Sequence, residues 1–330
     1  MRASITGVGH FVPEKRLTNQ DLEKIVDTND EWITTRTGIK ERRILDADKG
    51  TSHMGVRAAR HALERAGVGP EEIDLIIVAT VTPDMLVPST AAFVQEELGA
   101  SRCWGFDLNG GCTGFLCALA TGAQFIESGR RQNVLVIGAD KMSAIIDYED
   151  RNTCVIFGDG GGAALLQPSP DGETGILDYE LRLDGDGAKY LYMTGGGSLH
   201  PPTHETVDQK MHYVHQDGRT VFKQAIGGMS DVSGRLLERN GVPMDAVKLL
   251  IPHQANLRII DSVAKKLNLK PEQVMVNIQK YGNTTAATIP MAMSEAWAEG
   301  MMDPGDPIIL SAFGAGFTWG SLLLTWTMAR

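Results

Sequence analysis

Apolar positions along this chain alternate between two periods. In "SHMGVRAARHALERAGV" (52–68) they recur every three to four residues, the spacing of a helix with one buried face. In "IDLIIVATV" (73–81) they run together, as in a strand covered on both sides. The rhythm continues with a helix over 89–99, a strand over 103–109, a helix over 114–129 and a strand over 133–140. After a long interval it resumes: helix 221–242, strand 247–253, helix 256–268, a short strand 274–277, helix 284–300 and strand 307–314. Alternating helices and buried strands predict an α/β fold, mixed sheets with helices on their faces.

The second series repeats the first. Gly67 aligns with Gly241, Leu75 with Leu249 and Val134 with Ile308, always at an offset of 174 (241 − 67, 249 − 75, 308 − 134). One amphipathic match arises easily by chance. A constant offset across three elements favours an internal duplication. The expected division is residues 1–172 and 173–330. Between the two series, 183–219 is rich in glycine, proline and histidine and reads as a long loop region, often a functional one.

Composition narrows the class. The 330 residues suit two fused units. A net charge of −10 argues against non-specific nucleic-acid binding and makes any local basic cluster notable. No apolar run approaches the ~18 residues of a membrane span. The opening "MRASITGVGHFVP" lacks the apolar core and cleavage pattern of a signal peptide. Cys103, Cys112, Cys117 and Cys154 suggest neither a disulfide framework nor a CxxC metal pair. The expectation is a reduced, cytoplasmic protein, with no metal, no nucleic acid and no membrane among its partners.

One cysteine stands apart. In "CWGFDLNGGCTGFLCAL" a strand gives way to glycines, and a helix begins just past Cys112. Free N–H groups at a helix start favour a thiolate and can hold an oxyanion. Cysteines buried in helices are usually inert, and that reading suits Cys117, one turn inside, and extends to Cys103 on the strand. Cys112, in the turn, reads as a nucleophile. His253 ends the strand "VKLLIPH", and Asn283 sits at the junction in "YGNTTAATIP". Taken singly, the first is equally a structural histidine and the second a plain helix cap. In the duplicated frame the Asn283 junction stands opposite the Cys112 junction, so the three can converge on one cavity.

"NGGCTGF", "IPHQANLRI" and "KYGNTTAATIP", with the closing "SAFGAGFTWGSLLL", resemble the β-ketoacyl-[acyl-carrier-protein] synthase III family of condensing enzymes. The likeness runs over essentially the whole chain. It implies a thiolase-like fold, two duplicated halves in a five-layer α-β-α-β-α sandwich, and a homodimer. It also implies a catalytic triad of Cys112, His253 and Asn283. Cys112 would take an acyl group from a short acyl-CoA. His253 and Asn283 would then donate hydrogen bonds to the thioester oxygen of malonyl-carrier protein as carbon dioxide leaves. The resemblance further assigns an oxyanion hole to the N–H groups of Cys112 and Ala315, and water exclusion to Phe313. It assigns coenzyme A contacts to Thr28, Trp32, Arg36, Arg151 and Asn256, with adenine between Trp32 and Arg151. No cofactor beyond these thioester substrates is implied.

The acidic carrier protein calls for a basic face on this acidic chain. Lys223, Arg258, Lys265 and Lys266 fit the family pattern, with 258 and 265 seven residues apart on one helix face. A solvated charged surface is the plainer reading. Val87 stands where many members carry a phenylalanine that closes the partner's acyl pocket, which suggests a deeper pocket unless neighbours fill it.

Other classes fit less well. A papain-like protease shares the order Cys, His, Asn, and His253 follows Cys112 by 141 positions (253 − 112), but "GGCTGF" is not its local signature. Gly7-x-Gly9 lacks the third glycine of a dinucleotide loop, Val12 standing there. His200, His204, His212 and His215 have no helical ligand spacing. Condensing enzymes and acyltransferases of secondary metabolism, and a coenzyme A or carrier-protein binder without chemistry, remain open from sequence.

Overall fold

The computed structural model describes residues 1–330. Nine strands build two sheets. The first holds β1 (Ala3–Phe11), β2 (Leu75–Ala79), β3 (Trp104–Leu108), β4 (Val134–Lys141) and β5 (Asp159–Pro168), in spatial order β1-β5-β4-β2-β3. The second holds β6 (Gly175–Leu183), β7 (Leu249–Pro252), β8 (Pro307–Gly314) and β9 (Thr318–Thr325), in order β6-β9-β8-β7. An isolated bridge from Leu250 to Val274 continues the second sheet past β7. The two orders therefore correspond strand for strand, with Val274 in the place of β3.

Seven helices matter for the site: α1 (Asp30–Thr37), α2 (Thr51–Ala66), α3 (Thr90–Leu98), α4 (Gly114–Glu127), α5 (Gly218–Arg239), α6 (Leu257–Lys266) and α7 (Thr288–Ala298). They complete a five-layer thiolase-like sandwich. Because side chains alternate along a strand, Leu75, Ile77 and Ala79 of β2 face inward while Ile76 and Val78 face outward. The inward set joins one buried core with Phe115 and Leu119 of α4, Ile289 and Met293 of α7, and Leu249, Ile251 and Leu310 of the second sheet. The outward set packs beneath α2 and α3. On the far side α5 and α6 cover Leu250, Ile309 and Leu323. The central strands β2, β4, β7 and β8 are thus buried on both faces, which is why they read as continuous apolar runs.

The expected elements appear with ends shifted by up to three residues, apart from three differences. The 284–300 helix begins as a separate 3-10 turn, Thr285–Ala287, before α7. The short strand at 274–277 reduces to the Val274 bridge. The 183–219 interval is not bare loop: it carries paired two-residue strands, Leu191–Tyr192 with His215–Gln216, and a short helix at His204–Asp208. The pattern also assigned no strand to 159–168. That segment, "DGGGAALLQP", has the small residues that weaken any strand signal, and it is held by neighbours on both sides. No helix is long and apolar enough to cross a membrane.

Candidate active site

The duplication brings two turns face to face at the middle layer. The 3-10 turns Gly111–Thr113 and Thr285–Ala287 lie 174 residues apart, as do the helices they open, α4 at Gly114 and α7 at Thr288. Even the backbone agrees: Gly111 has φ +56° and Thr285 has φ +54°. For a β-branched threonine that left-handed conformation is strained. A cavity of about 320 Å³ opens over both turns, lined by Cys112, His253, Asn283, Thr285, Phe313 and Ala315 among mostly apolar neighbours.

Cys112 sits in the first turn and is buried. A methyl group added to Gly314 would stand 2.7 Å from the Cys112 nitrogen and 3.0 Å from its Cβ. One added to Gly111 would stand 3.3 Å from the Ala315 nitrogen. The end of β8 and the cysteine turn thus touch through bare backbone, bringing the two expected oxyanion donors to one side of the cavity. Phe313 is buried below them, its ring 4.9 Å from that of Phe317.

The helix start does not dominate the thiol's acidity, contrary to expectation. Burial pushes Cys112 up to about 12, and the charge of Asp140 adds to it. At neutral pH the Cys112 thiol is therefore protonated. Below that value the thiolate fraction rises tenfold per pH unit. Alkylation of the Cys112 peptide by iodoacetamide, followed by mass spectrometry, should therefore climb through pH 7 to 10 by about tenfold per unit without a plateau. A plateau near pH 8 would show an activated thiolate instead.

His253 follows β7 and is 3% exposed. Its Nδ1 lies 2.6 Å from Thr288 Oγ1, while Nε2 has no hydrogen-bond partner. Burial lowers its pKa to about 3, so the ring is neutral. Asn283 is fixed by its backbone: its N–H donates to the Ile156 carbonyl at 2.9 Å, and its carbonyl accepts from Gly158 at 3.1 Å. Its Oδ1 accepts from the Thr285 N–H at 2.9 Å, which leaves Nδ2 as the free donor.

Asp140, at the end of β4, was not singled out from sequence. Its Oδ1 accepts from Thr80 Oγ1, Val81 N, Thr82 N and Thr82 Oγ1, and its Oδ2 accepts from Ala286 N at 3.1 Å. One buried carboxylate therefore pins the second turn to the first sheet. Burial pushes its pKa up to about 6. Asn109, which also lines the cavity, was missed as well. It lies 174 before Asn283 (283 − 109), so the offset could have found it.

The other expected positions lie around the entrance or away from it. Trp32 and Arg36 are on α1, and both arginines lean on the tryptophan: Arg151 at 4.8 Å and Arg36 at 5.0 Å from the ring centroid. Arg151 also donates to the Asp27 carbonyl at 2.9 Å, rather than pairing with Asp150 or Glu149. A base between Trp32 and Arg151 needs about 7 Å, two stacking distances, so Arg151 has to swing outward to admit one. Thr28 Oγ1 is buried without a partner. Asn256 lines the cavity, caps α6 through the Arg258 N–H at 2.9 Å and donates to the Arg36 carbonyl at 3.0 Å. Lys223, Arg258, Lys265 and Lys266 are all exposed on α5 and α6, and none has an ion-pair partner. Val87 is 83% exposed and does not line its own chain's cavity. His212 Nε2 bonds Thr206 Oγ1 at 2.9 Å and His215 stacks on Tyr192.

Comparison with known proteins gives the family and the fold. The family model described as 3-oxoacyl-[acyl-carrier-protein] synthase III matches residues 106–185, and its C-terminal counterpart matches 237–326. The β-ketoacyl-[acyl-carrier-protein] synthase III of Chlorobaculum tepidum is 52% identical over 328 residues, covering 99% of this chain and 100% of its own. That of Koribacter versatilis is 53% identical over 326 residues, 98% of each chain. The crystal structure of 3-oxoacyl-[acyl-carrier-protein] synthase III from Aquifex aeolicus superposes with a TM-score of 0.91 at 47% identity, covering 98% of this chain and 100% of that one. With half its sequence shared along the full length and the same fold, this chain belongs to the β-ketoacyl-[acyl-carrier-protein] synthase III family.

Proposed function

We propose that the protein joins a short acyl-CoA, such as acetyl-CoA, to malonyl-acyl carrier protein, releasing coenzyme A and carbon dioxide and starting fatty acid synthesis. It is an acyltransferase. The observation that carries this reading is the meeting of Cys112, His253 and Asn283 on one cavity in a chain about half identical to named synthases.

The chemistry follows from the groups present. Cys112 Sγ attacks the acyl carbon, the carbon–sulfur bond to coenzyme A breaks, and the thiol proton ends on the departing sulfur. The N–H groups of Cys112 and Ala315 hold the oxyanion of that step. Malonyl thioester then enters. Its carbon–carboxylate bond breaks, and the electron pair passes into an enolate whose oxygen takes hydrogen bonds from His253 Nε2 and Asn283 Nδ2. The α-carbon attacks the acyl group and displaces Cys112, which regains a proton from water. A neutral histidine suits this donor role, since no ion pair has to be broken before substrate binds.

Supporting proposals fit the same reading. The division at 172/173 falls between β5 and β6, where one sheet ends and the other begins. A homodimer is supported by β3, one of the two edges of its sheet, with Trp104 44% exposed and packed edge-on to Phe125 at 5.7 Å. Such an edge is usually covered. Coenzyme A would enter by Thr28, Trp32, Arg36, Arg151 and Asn256, with Arg151 turning outward to admit the base.

The test is incubation with acetyl-CoA, then with malonyl-carrier protein. An acetyl group on the Cys112 peptide and β-ketoacyl product support the synthase. Coenzyme A binding without acylation supports a binder instead. Docking has its own expected result. Arg258→Glu or Lys265→Glu should raise KM for malonyl-carrier protein about fivefold at low salt, since one steering charge is reversed. Acetylation of Cys112 should stay within about twofold, because these residues do not line the cavity. Equal loss in both steps would remove the basic face from the docking role.

A further inference from the structure

Arg42 is fully buried, in a short strand, Glu41–Arg43, that pairs with Arg16–Thr18. Burial lowers its pKa to about 10, so the guanidinium is still charged at neutral pH. A buried charge needs partners, yet no carboxylate pairs with it directly. Nε donates to the Val155 carbonyl at 3.1 Å, and Nη2 donates to the same oxygen. Nη1 donates to Asn19 Oδ1 at 2.5 Å. Asn19 is fully buried too, and its Nδ2 donates to Asp30 Oδ1 at 2.7 Å and to the Ile39 carbonyl at 2.9 Å. The amide can point only one way, because a guanidinium only donates and a carboxylate only accepts. Asp30 has no ion-pair partner either, so a single buried amide stands between the two charges.

The two ends of this chain of bonds belong to the two sides of one clamp. Asp30 opens α1, which carries Trp32 and Arg36. Val155 lies in the turns that follow Arg151, where the Cys154 N–H donates to the Asp150 carbonyl at 3.0 Å and the Ile156 N–H to the Thr153 carbonyl at 3.0 Å. Ile33 and Ile39 also share an apolar cluster with Cys154 and Val155. Apolar contact is non-directional, whereas hydrogen bonds fix direction as well as distance. We propose that Arg42 and Asn19 are positioning residues: the buried chain Val155–Arg42–Asn19–Asp30 sets how Trp32 faces Arg151, and so how firmly the adenine end of coenzyme A is held. This rests on the coenzyme A entrance proposed above.

The test compares acetyl-CoA with acetyl-pantetheine, a thioester without the nucleotide, as acyl donors to Cys112. Asn19→Ala should raise KM for acetyl-CoA about tenfold, the worth of one base stacked on an aromatic ring, with kcat within about twofold. Asp30→Ala, at a half-buried position, should do the same by about threefold. Neither should change kcat/KM for acetyl-pantetheine by more than about twofold, which a general structural role would not spare. Trp32→Ala serves as the control and should raise KM for acetyl-CoA alone. A loss in Trp32→Ala but none in folded Asn19→Ala and Asp30→Ala would overturn the proposal and leave the entrance standing. Equal losses with both donors would overturn it as well. An unchanged KM in Trp32→Ala would remove the coenzyme A entrance and the proposal with it. If Asn19→Ala does not fold, Asp30→Ala decides.

Discussion

Cys112→Ala should give a protein that never carries an acyl group and makes no β-ketoacyl product, a loss of about 1,000-fold or more in condensation. His253→Ala and Asn283→Ala should behave differently. Each should still be acetylated on Cys112, within about tenfold of the unmodified rate, but lose about 100-fold or more in malonyl decarboxylation. The reason is geometric. In the proposed mechanism the acyl step uses the cysteine turn and the end of β8, and the enolate step uses His253 and Asn283, two donors from the second half of the chain. Mass spectrometry of the Cys112 peptide and release of labelled carbon dioxide separate the two steps. Near-normal decarboxylation in Asn283→Ala would remove Nδ2 from the enolate step.

Gly314→Ala is expected to be nearly as damaging, although position 314 offers no side chain for chemistry. Its new methyl would meet the Cys112 nitrogen at 2.7 Å, closer than non-bonded carbon and nitrogen tolerate, and backbone cannot yield as a flexible side chain does. β8 and the cysteine turn must separate, which would spoil the alignment of the two proposed oxyanion donors. Loss of one such donor costs about 100-fold or more in kcat, and the same scale is expected here. The KM for acetyl-CoA should change little, because its proposed contacts lie on α1 and around Arg151. An alanine variant with normal kcat would show that the strand end and the turn can part without harm.

The legibility of this site varied with the range of the forces involved. Cys112 was readable because its cause is local: glycines, a turn and a helix start adjoin in sequence. The central layer was readable from the 174-residue offset, which already placed the Asn283 junction opposite the Cys112 junction. The acidity of the thiol was not readable. It depends on burial and on Asp140, which reaches the site from the end of another strand. Thr288 was invisible for a similar reason, since nothing in "TTAATIP" tells which threonine meets a histidine 35 positions earlier (288 − 253). The β5 strand was hidden by its glycines and alanines. These are small because Gly161 packs against the backbone of Met54 in α2 and Gly162 against Pro290 in α7.

The middle layer has a consequence for how the molecule comes apart. α4 and α7 belong to different halves, yet their apolar faces share one buried core with both sheets. Neither sheet keeps its inner covering if the other leaves. Partial melting of one half would expose the inner faces of its neighbour, so the whole chain is the cooperative unit of unfolding. The same separation would carry Cys112 away from His253 and Asn283. Heat should therefore extinguish catalysis and structure in one transition, with no folded but inactive species between.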